Sequence, residues 1–220
     1  MPLTKTTGNM YPWCDFTHTH LGGECSHKCT YCYVQAMERR FKSGRYTGPL
    51  TLIEKEFRVN YGEGRTIFIE HCNDLFAADV PELIIRKVLD HCSCYPRNTY
   101  VFQTKNPKRY ADFRDLLPDY RILGCTIETD IAMITDEVSK APHPYFRAES
   151  MNERWKEGEK TFITIEPIMA CNPVAFSKLI EHCHPSFVNI GADSKGIGLV
   201  EPSGADVEML IALLLSLIHI

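Results

Sequence analysis

Short apolar runs and stretches with helical spacing alternate along this chain. Six runs are rich in β-branched and aromatic residues and are predicted as strands: Asp15–His18, Thr66–Glu70, Thr99–Thr104, Arg121–Glu128, Thr161–Ile165 and Phe187–Ile190. Six helix-like stretches follow them: Tyr33–Lys42, Pro81–His91, Pro107–Leu116, Arg147–Lys156, Val174–His182 and Ala205–Leu215. Strands that alternate with helices form parallel sheets with the helices packed outside. The sequence therefore predicts an α/β fold.

The number of strand–helix units limits the architecture further. Six units are fewer than the eight of a closed barrel, so an open partial barrel and a doubly wound sheet are both compatible with the pattern. The length of 220 residues suits one domain of ordinary size. We expect an N-terminal extension over residues 1–12 and one domain over residues 13–220. An apolar run that stops abruptly at Ile220 indicates that this domain is truncated at its C terminus.

Composition excludes several classes of function. A net charge of −4 gives no global attraction to nucleic acid or to an anionic membrane. The N-terminal residues contain no apolar segment typical of a secretory signal, and the longest apolar run is too short to span a bilayer. A cytoplasmic protein is therefore expected, without membrane partners. In that reducing compartment the ten cysteines are predicted to be free thiols or metal ligands rather than disulfides.

Three cysteines, Cys25, Cys29 and Cys32, form a CxxxCxxC motif between the first predicted strand and the first predicted helix. Thiolates this close in sequence can converge on one soft metal centre. Structural zinc takes four protein ligands, and many iron–sulfur clusters take four cysteines. Three ligands with no evident fourth in the same loop predict a centre with one open position.

The motif resembles the signature of the radical S-adenosylmethionine enzymes. More narrowly, the chain resembles a phage-associated radical SAM family of unassigned function and, more distantly, the spore photoproduct lyase group. The narrower resemblance rests on further segments that occur in the expected order: Gly22–Tyr33, Asn73–Phe76, Gln103–Pro107 and Glu166–Pro167. It implies a (β/α)6 partial TIM-type barrel with parallel strands and outer helices.

The resemblance implies a 4Fe–4S cluster held by Cys25, Cys29 and Cys32, with S-adenosylmethionine bound to the fourth iron. It also implies a one-electron reductant of the flavodoxin or ferredoxin type. Reductive cleavage of S-adenosylmethionine would give a 5′-deoxyadenosyl radical that abstracts a substrate hydrogen. The substrate is not identified, and nucleic acid is suggested by the analogy with spore photoproduct lyase.

Candidate cofactor-binding residues come from the motif and from the ends of predicted strands, where ligands of parallel α/β folds collect. Tyr31 occupies the aromatic position that in the radical SAM family lies near the adenine. Asn73 and Asp74 stand where that family usually carries a Gly-Gly-Glu segment, and this chain lacks those glycines. Glu128 suits a ribose-hydroxyl acceptor. Glu166 ends the fifth predicted strand.

A non-catalytic zinc-binding or partner-binding α/β module is the alternative interpretation, with His27 or Cys14 as the fourth zinc ligand. His27 is otherwise expected to be an exposed filler in the cysteine loop. Two basic groups are candidate phosphate contacts, although most such groups are solvated faces: Lys105, Lys108 and Arg109, and Arg39, Arg40, Lys42 and Arg45.

Overall fold

The structure is a computed structural model that describes residues 3–6, 11–193 and 196–217. The chain divides into two compact units. The first comprises Met1–Ser26, Val34–Thr104 and Arg109–Leu123, and the second comprises His27–Tyr33, Lys105–Lys108 and Gly124–Ile220. The expected truncation at Ile220 falls outside the described residues.

Strands and helices alternate as the sequence indicates. The strands are β1 (Thr4–Lys5), β2 (Phe16–His18), β3 (Leu21–Gly22), β4 (Thr51–Leu52), β5 (Thr66–Ile69), β6 (Thr99–Thr104), β7 (Arg121–Thr126), β8 (Thr161–Ile165) and β9 (Phe187–Ile190). The α-helices are α1 (Tyr33–Phe41), α2 (Glu82–Ser93), α3 (Ala132–Val138), α4 (Pro144–Lys156), α5 (Pro173–His182) and α6 (Gly204–Leu217). Two 3-10 helices span Glu54–Arg58 and Pro107–Leu116.

The main sheet has the strand order β1-β2-β5-β6-β7-β8-β9. The pairs β2–β5, β5–β6 and β8–β9 are parallel. Among the described pairings of this sheet, only the short β1 runs antiparallel to its neighbour, β2. A doubly wound sheet reverses its strand order partway, whereas the order here follows the chain without reversal. The structure therefore confirms the partial (β/α) barrel.

In the first unit a small hairpin and a helix complete the fold around the parallel strands. The hairpin pairs β3 with β4, and Gly23 follows β3 with φ of 81°. A Cβ on Gly23 would lie 2.1 Å from the carbonyl oxygen of Pro49, so this position accepts only glycine. Helix α2 buries Ile85, Val88 and Leu89 at helical spacing.

In the second unit the strand β8 is buried along its whole length, as is usual for a parallel strand covered on both faces. Gly124 lies against it, where a Cβ would fall 2.2 Å from the ring of Phe162. Helix α5 begins at Pro173, and the side chain of Asn172 caps its first N–H groups. Helix α5 packs against α4 and α6.

The six predicted strands and six predicted helical stretches are all present. The predicted strand Arg121–Glu128 ends two residues early, at Thr126, and the stretch Pro107–Leu116 is a 3-10 helix. The β3–β4 hairpin and α3 had no counterpart in the prediction, because each is too short for its periodicity to stand out. Within the described part of the chain, no helix has the length and apolar character needed to cross a bilayer.

Candidate functional site

The second half of the cysteine loop is a tight turn. The N–H of Cys32 donates to the carbonyl of Cys29 at 3.1 Å, so both cysteines belong to one turn directly before α1. The N–H of Thr30 donates to the carbonyl of Val138 at 2.9 Å, which fastens the turn to the end of α3. The Sγ atom of Cys29 lies 3.1 Å from Oγ of Ser139. The turn is thus held by the chain that follows β7.

The three motif cysteines differ from most other cysteines of the chain. Cys25, Cys29 and Cys32 are half-buried and form no disulfide, whereas five cysteines are buried: Cys14, Cys72, Cys92, Cys125 and Cys183. Burial raises the pKa of the Cys14 thiol to about 11 and that of Cys183 well above 9. The metal ligand is the accessible thiolate. The three motif thiols are therefore better suited as ligands of an iron–sulfur cluster than the buried cysteines are.

Preassembled metal sites are absent from the described residues. Among residues 3–6, 11–193 and 196–217, no group of three or more His, Cys, Asp or Glu side chains is gathered to hold one metal ion. The 4Fe–4S cluster consequently stays a prediction from the motif.

His27 lies within the loop but is not the exposed filler expected there. It is only 4% exposed. Its carbonyl accepts from the N–H of Lys140 at 2.7 Å and from Oγ of Ser139 at 3.3 Å, so the chain after α3 covers it. The prediction of exposure was wrong because that chain is distant in sequence and gives no local signal.

Tyr31 is joined to two charged residues. Its hydroxyl donates to Oε1 of Glu128 at 2.6 Å, and Nζ of Lys105 donates to the same hydroxyl at 3.0 Å. The Lys105 ammonium also forms an ion pair with Glu128 and lies 5.1 Å from the centre of the Tyr31 ring. A cation over an aromatic face is attracted by the ring quadrupole. Tyr31, Lys105 and Glu128 therefore form one polar group beside Cys29.

Arg147 supplies the second counter-charge to Glu128. Its Nη1 atom donates to Oε2 of Glu128 at 2.8 Å and to the carbonyl of Thr126 at 2.9 Å. The side chain of Arg147 is 0% exposed, and its Nη2 atom has no hydrogen-bond partner. Glu128 thus has a different cation on each carboxylate oxygen.

The electrostatics of this group follow from burial and charge. Burial by itself would raise the pKa of Glu128, but Lys105 and Arg147 outweigh it and hold that pKa well below the ordinary range. Burial and the adjacent Glu128 carboxylate raise the pKa of Tyr31 well above 10. Glu128 is therefore an anion and Tyr31 a neutral phenol at physiological pH.

Glu166 follows β8 and is exposed. A Cβ on Gly191 would lie 2.9 Å from Cγ of Glu166, so a glycine makes room for this side chain. Partial desolvation raises the pKa of the Glu166 carboxyl, and the charge of Lys105 opposes that rise. Lys105 therefore acts electrostatically on both candidate glutamates of the second unit.

In the first unit the side chains of Asn73 and Asp74 are engaged with the protein. Asn73 donates through Nδ2 to the carbonyl of Gly23 at 3.2 Å. Asp74 accepts at Oδ1 from Oγ1 of Thr104 at 2.7 Å and from the N–H of Phe76 at 3.0 Å. Both residues shape the loop after β5, and their role toward a cofactor stays a prediction.

Two basic residues expected on a solvated face are instead bonded within the protein. Lys105 is 15% exposed in its ion pair with Glu128. Arg109 donates to the carbonyls of Ala77 and Val80. Only Lys108 of this basic group is exposed.

Sequence reasoning missed Arg147 and Ser139 as parts of the site. Arg147 had a signal, because it shares the buried face of α4 with Ala148 and Met151, and an arginine in a core position needs an anion. Ser139 had none, because its proximity to Cys29 arises from residues 110 positions apart.

Comparisons with known proteins agree with this fold. The family model described as Protein of unknown function (DUF5131) matches residues 9–170. No curated protein matches the chain.

Solved structures of spore photoproduct lyase are similar. One, a double mutant with bound AdoMet and dinucleoside spore photoproduct, has a TM-score of 0.60 at 12% identity, covering 94% of this chain and 63% of that one. Another, complexed with dinucleoside spore photoproduct, has a TM-score of 0.58 at 13% identity, and the match covers 83% of this chain and 54% of that one. This chain thus spans less than two thirds of these neighbours, and the likeness shows a shared fold.

Proposed function

The chain belongs to the family described as Protein of unknown function (DUF5131), and we propose that it is a radical S-adenosylmethionine enzyme. The observation that carries the proposal is the set of three half-buried cysteines without disulfides, Cys25, Cys29 and Cys32, at CxxxCxxC spacing before α1 of a partial barrel. The similar lyase structure with bound AdoMet supports the same cofactor. The narrower relationship to phage-associated radical SAM proteins remains a prediction.

In this proposal Cys25, Cys29 and Cys32 hold a 4Fe–4S cluster. Together with S-adenosylmethionine, the cluster supplies reductive C–S cleavage and hence a 5′-deoxyadenosyl radical for hydrogen abstraction. The electron comes from a flavodoxin- or ferredoxin-type donor in the cytoplasm. The protein supplies binding, orientation and charge, as in other cofactor enzymes.

The charged residues of the second unit give the proposed site its polarity. Lys105 and Arg147 fix Glu128 as an anion, and Glu128 fixes the hydroxyl of Tyr31. The ring of Tyr31 is thereby held in one orientation, as an aromatic surface for adenine requires. We assign Tyr31, Glu128 and Glu166 to the adenosine part of the cofactor, and Asn73 and Asp74 to its methionine part.

The alternative of a zinc-binding module is weaker because Cys14, one of the two candidates for the fourth zinc ligand, is a buried and protonated thiol. Cys14 is 1% exposed, and its Sγ atom lies 3.3 Å from the carbonyl of Phe16. Burial raises the pKa of this thiol to about 11. A protonated thiol that donates to a backbone carbonyl does not bind zinc.

Anaerobic reconstitution with iron and sulfide tests the proposal. We expect about four irons per chain and a broad absorption band typical of iron–sulfur clusters. Cys29→Ala should abolish the band without unfolding the protein, because Cys29 is not in the core. Cys94→Ala, at an exposed cysteine outside the motif, is the matched control and should leave the band unchanged. One tightly bound zinc and no colour would refute the proposal.

The assignment of Glu128 has its own test. Glu128→Gln should weaken S-adenosylmethionine binding at least tenfold while iron content changes little, because Glu128 contacts Tyr31 and not a cysteine. Unchanged affinity in the folded variant would remove Glu128 from the site.

Our proposed substrate is a nucleic acid. Two similar lyase structures contain a dinucleoside. In the first unit, Arg39 and Lys42 line a cavity of about 340 Å³ next to the C-terminal end of α1. Exposed cations beside a cavity suit a phosphate backbone.

Binding of a single-stranded oligonucleotide at several salt concentrations tests this substrate. The double variant Arg39→Ala/Lys42→Ala should reduce the slope of log K against log salt by about 1.4, which is about 0.7 for each lost phosphate contact. Lys178→Ala, at an exposed lysine of α5, should leave the slope unchanged. Equal slopes for all three proteins would reject this phosphate surface.

A further inference from the structure

In the second unit the strands β7 and β8 present one face to the helices and the other to the interior of the partial barrel. Cys125 of β7 faces the helices, because it lies close enough to Cys183, at the end of α5, to raise the pKa of that thiol. Side chains alternate along a strand, so Gly124 points away from α5. A Cβ on Gly124 would fall 2.2 Å from the ring of Phe162. Phe162 of β8 therefore lies on the interior face.

The interior face continues onto β9. Phe187 pairs with Phe162 in register, and the two rings stack with their centroids 5.1 Å apart and their planes 9° apart. Asn189 lies two residues after Phe187 and pairs with Thr164 of β8. Residues two apart in a strand point to the same side of the sheet. The side chain of Asn189 therefore points into the interior of the partial barrel.

The amide of Asn189 has an unused donor on this face. Within the part of the chain that the structure describes, the Nδ2 atom of Asn189 is buried and has no hydrogen-bond partner. A buried donor without an acceptor destabilises a fold, so each instance in a native protein needs an explanation. The residue as a whole is half-buried, which leaves part of it open to a ligand. A ligand that brings an acceptor to Nδ2 would satisfy this amide.

A carboxylate lies one step further along the same face. Glu166 is two residues after Thr164, the β8 partner of Asn189, and it is exposed. A Cβ on Gly191 would lie 2.9 Å from Cγ of Glu166, so Gly191 leaves space for this side chain on the interior face. The rise and spacing of strands put the Cα atoms of Asn189 and Glu166 roughly 8 Å apart. The amide and the carboxylate can therefore reach neighbouring atoms of one ligand.

A donor beside a carboxylate matches the edge of a nucleobase. Such an edge carries an acceptor next to a donor, as adenine does with its N7 atom and its N6 amine. Asparagine and glutamate side chains are among those that bind base edges. A phosphate group would instead be repelled by Glu166. Lys105, whose charge acts on Glu166, also donates to Tyr31, the ring assigned above to adenine.

We propose that Asn189 and Glu166 bind the hydrogen-bonding edge of a nucleobase, with Asn189 donating to a base acceptor and Glu166 accepting from a base amine or imine. The choice of a nucleobase rests on the function proposed above. The adenine of S-adenosylmethionine and a base of the nucleic-acid substrate share this chemistry. Separate experiments with each ligand distinguish the two sources.

NMR of nitrogen-15-labelled apoprotein tests the site without the cluster. The side-chain amide of Asn189, assigned by its loss in Asn189→Asp, is followed while adenosine or a single-stranded oligonucleotide of all four bases is added. One of the two ligands should move an amide proton of Asn189 downfield, as a new hydrogen bond does. The amide of Asn60, which is exposed in the first unit, should not move. An Asn189 amide that responds to neither ligand would overturn the proposal.

Affinities of the reconstituted variants for S-adenosylmethionine and for the oligonucleotide provide the second test. Asn189→Ala and Asn189→Asp should each bind the ligand identified by NMR at least tenfold more weakly, because both lose the donor. Asn60→Asp is the matched control, since it makes the same chemical change but keeps the Oδ1 atom that accepts from the N–H of Gly62. Wild-type affinity of folded Asn189→Ala for both ligands would refute the site. A loss in Asn189→Asp alone would also refute it, because the added charge would then be responsible.

Glu166→Gln tests whether the two side chains share one ligand. It should weaken binding of the same ligand as Asn189→Ala, because a neutral amide accepts less strongly than a carboxylate. Weakened binding of the other ligand alone would show two separate sites and refute the joint assignment.

This proposal and the proposed function fail in different ways. If wild-type protein forms no cluster, the proposed function fails, and the titrations of apoprotein still decide whether Asn189 binds a base. If the protein forms the cluster and binds S-adenosylmethionine while the Asn189 amide responds to neither ligand, only the nucleobase site fails. If neither variant of Asn189 folds, direct resonance assignment of the wild type lets the titrations decide.

Discussion

Each unit of this protein buries a glutamate just beyond the end of a strand of the main sheet, and the two have different hydrogen-bond partners. Glu70 follows β5 and is bound by His20 and two backbone N–H groups. Glu128 lies after β7 and is bound by Lys105, Arg147 and the hydroxyl of Tyr31. One carboxylate thus faces a histidine, and the other faces two strong cations.

The difference determines how each unit responds to the loss of its carboxylate. Histidine can release a proton and become neutral, so a histidine partner is not left as a buried charge. Arginine cannot be deprotonated in proteins, so Arg147 would remain a buried cation without its anion. Two carboxylates of similar burial therefore have different energetic consequences.

The largest expected effect is on stability when each glutamate is replaced by glutamine. Glu128→Gln should lower the free energy of unfolding by about 3–5 kcal/mol, because it leaves charged Arg147 buried and unpaired. Glu70→Gln should lower it by about 1–3 kcal/mol, the usual cost of disrupted buried hydrogen bonds. Urea unfolding followed by circular dichroism measures both values. Equal losses would show that the type of partner does not matter.

A pH effect is expected mainly in the first unit, and per pH unit it is smaller than the effect of Glu128→Gln. Burial lowers the pKa of His91 to about 4 and that of His18 to about 3, from 6.5. Between about pH 6.5 and 4 the unfolded chain binds more protons than the folded one, so stability falls as pH falls. The loss is at most about 1.4 kcal/mol per pH unit for each group.

Glu128 is an acid rather than a base, but its protonation also lowers the stability of the fold as pH falls. The pKa of Glu128 is depressed, so the stabilisation by its carboxylate is present above the ordinary pKa range of glutamate and is lost only as pH falls below that range.

The shifted pKa of His91 can be tested by urea unfolding at a series of pH values. The free energy of unfolding should decrease less steeply between about pH 6.5 and 4 for His91→Gln than for wild type. An unchanged slope would contradict the shifted pKa of His91.

The smallest effect is expected at a surface ion pair, which provides a reference for the two buried glutamates. Nζ of Lys87 lies 2.8 Å from Oε1 of Glu54, and both side chains are exposed. Lys87→Ala should change the free energy of unfolding by no more than about 1 kcal/mol, because water and salt screen the pair. A loss near that of Glu128→Gln would mean that burial is not what distinguishes these pairs.

Much of the fold could be predicted because its signals are local. The strands Thr99–Thr104, Thr161–Ile165 and Phe187–Ile190 were predicted with the bounds that the structure has. Their β-branched and aromatic runs lie between clear helical stretches. The choice between a partial barrel and a doubly wound sheet required the observed strand order, because order depends on which strands pair in space.

The candidate site was predicted less completely. The motif identified Cys25, Cys29 and Cys32, and strand ends identified Glu128 and Glu166. Neither signal indicated that Lys105 and Arg147 would neutralise Glu128, since they lie 23 and 19 residues away in sequence. The exposure of His27 was mispredicted for the same reason.

The sequence by itself determined the order of strands and helices and the spacing of three cysteines, because periodicity and short motifs act over a few neighbouring residues. Only the tertiary structure decided which charges meet. His20 and Glu70 are 50 residues apart, yet two hydrogen bonds join them in the interior. The physical reason is that buried charges need partners within a few ångströms, and packing brings those partners together from distant parts of the chain.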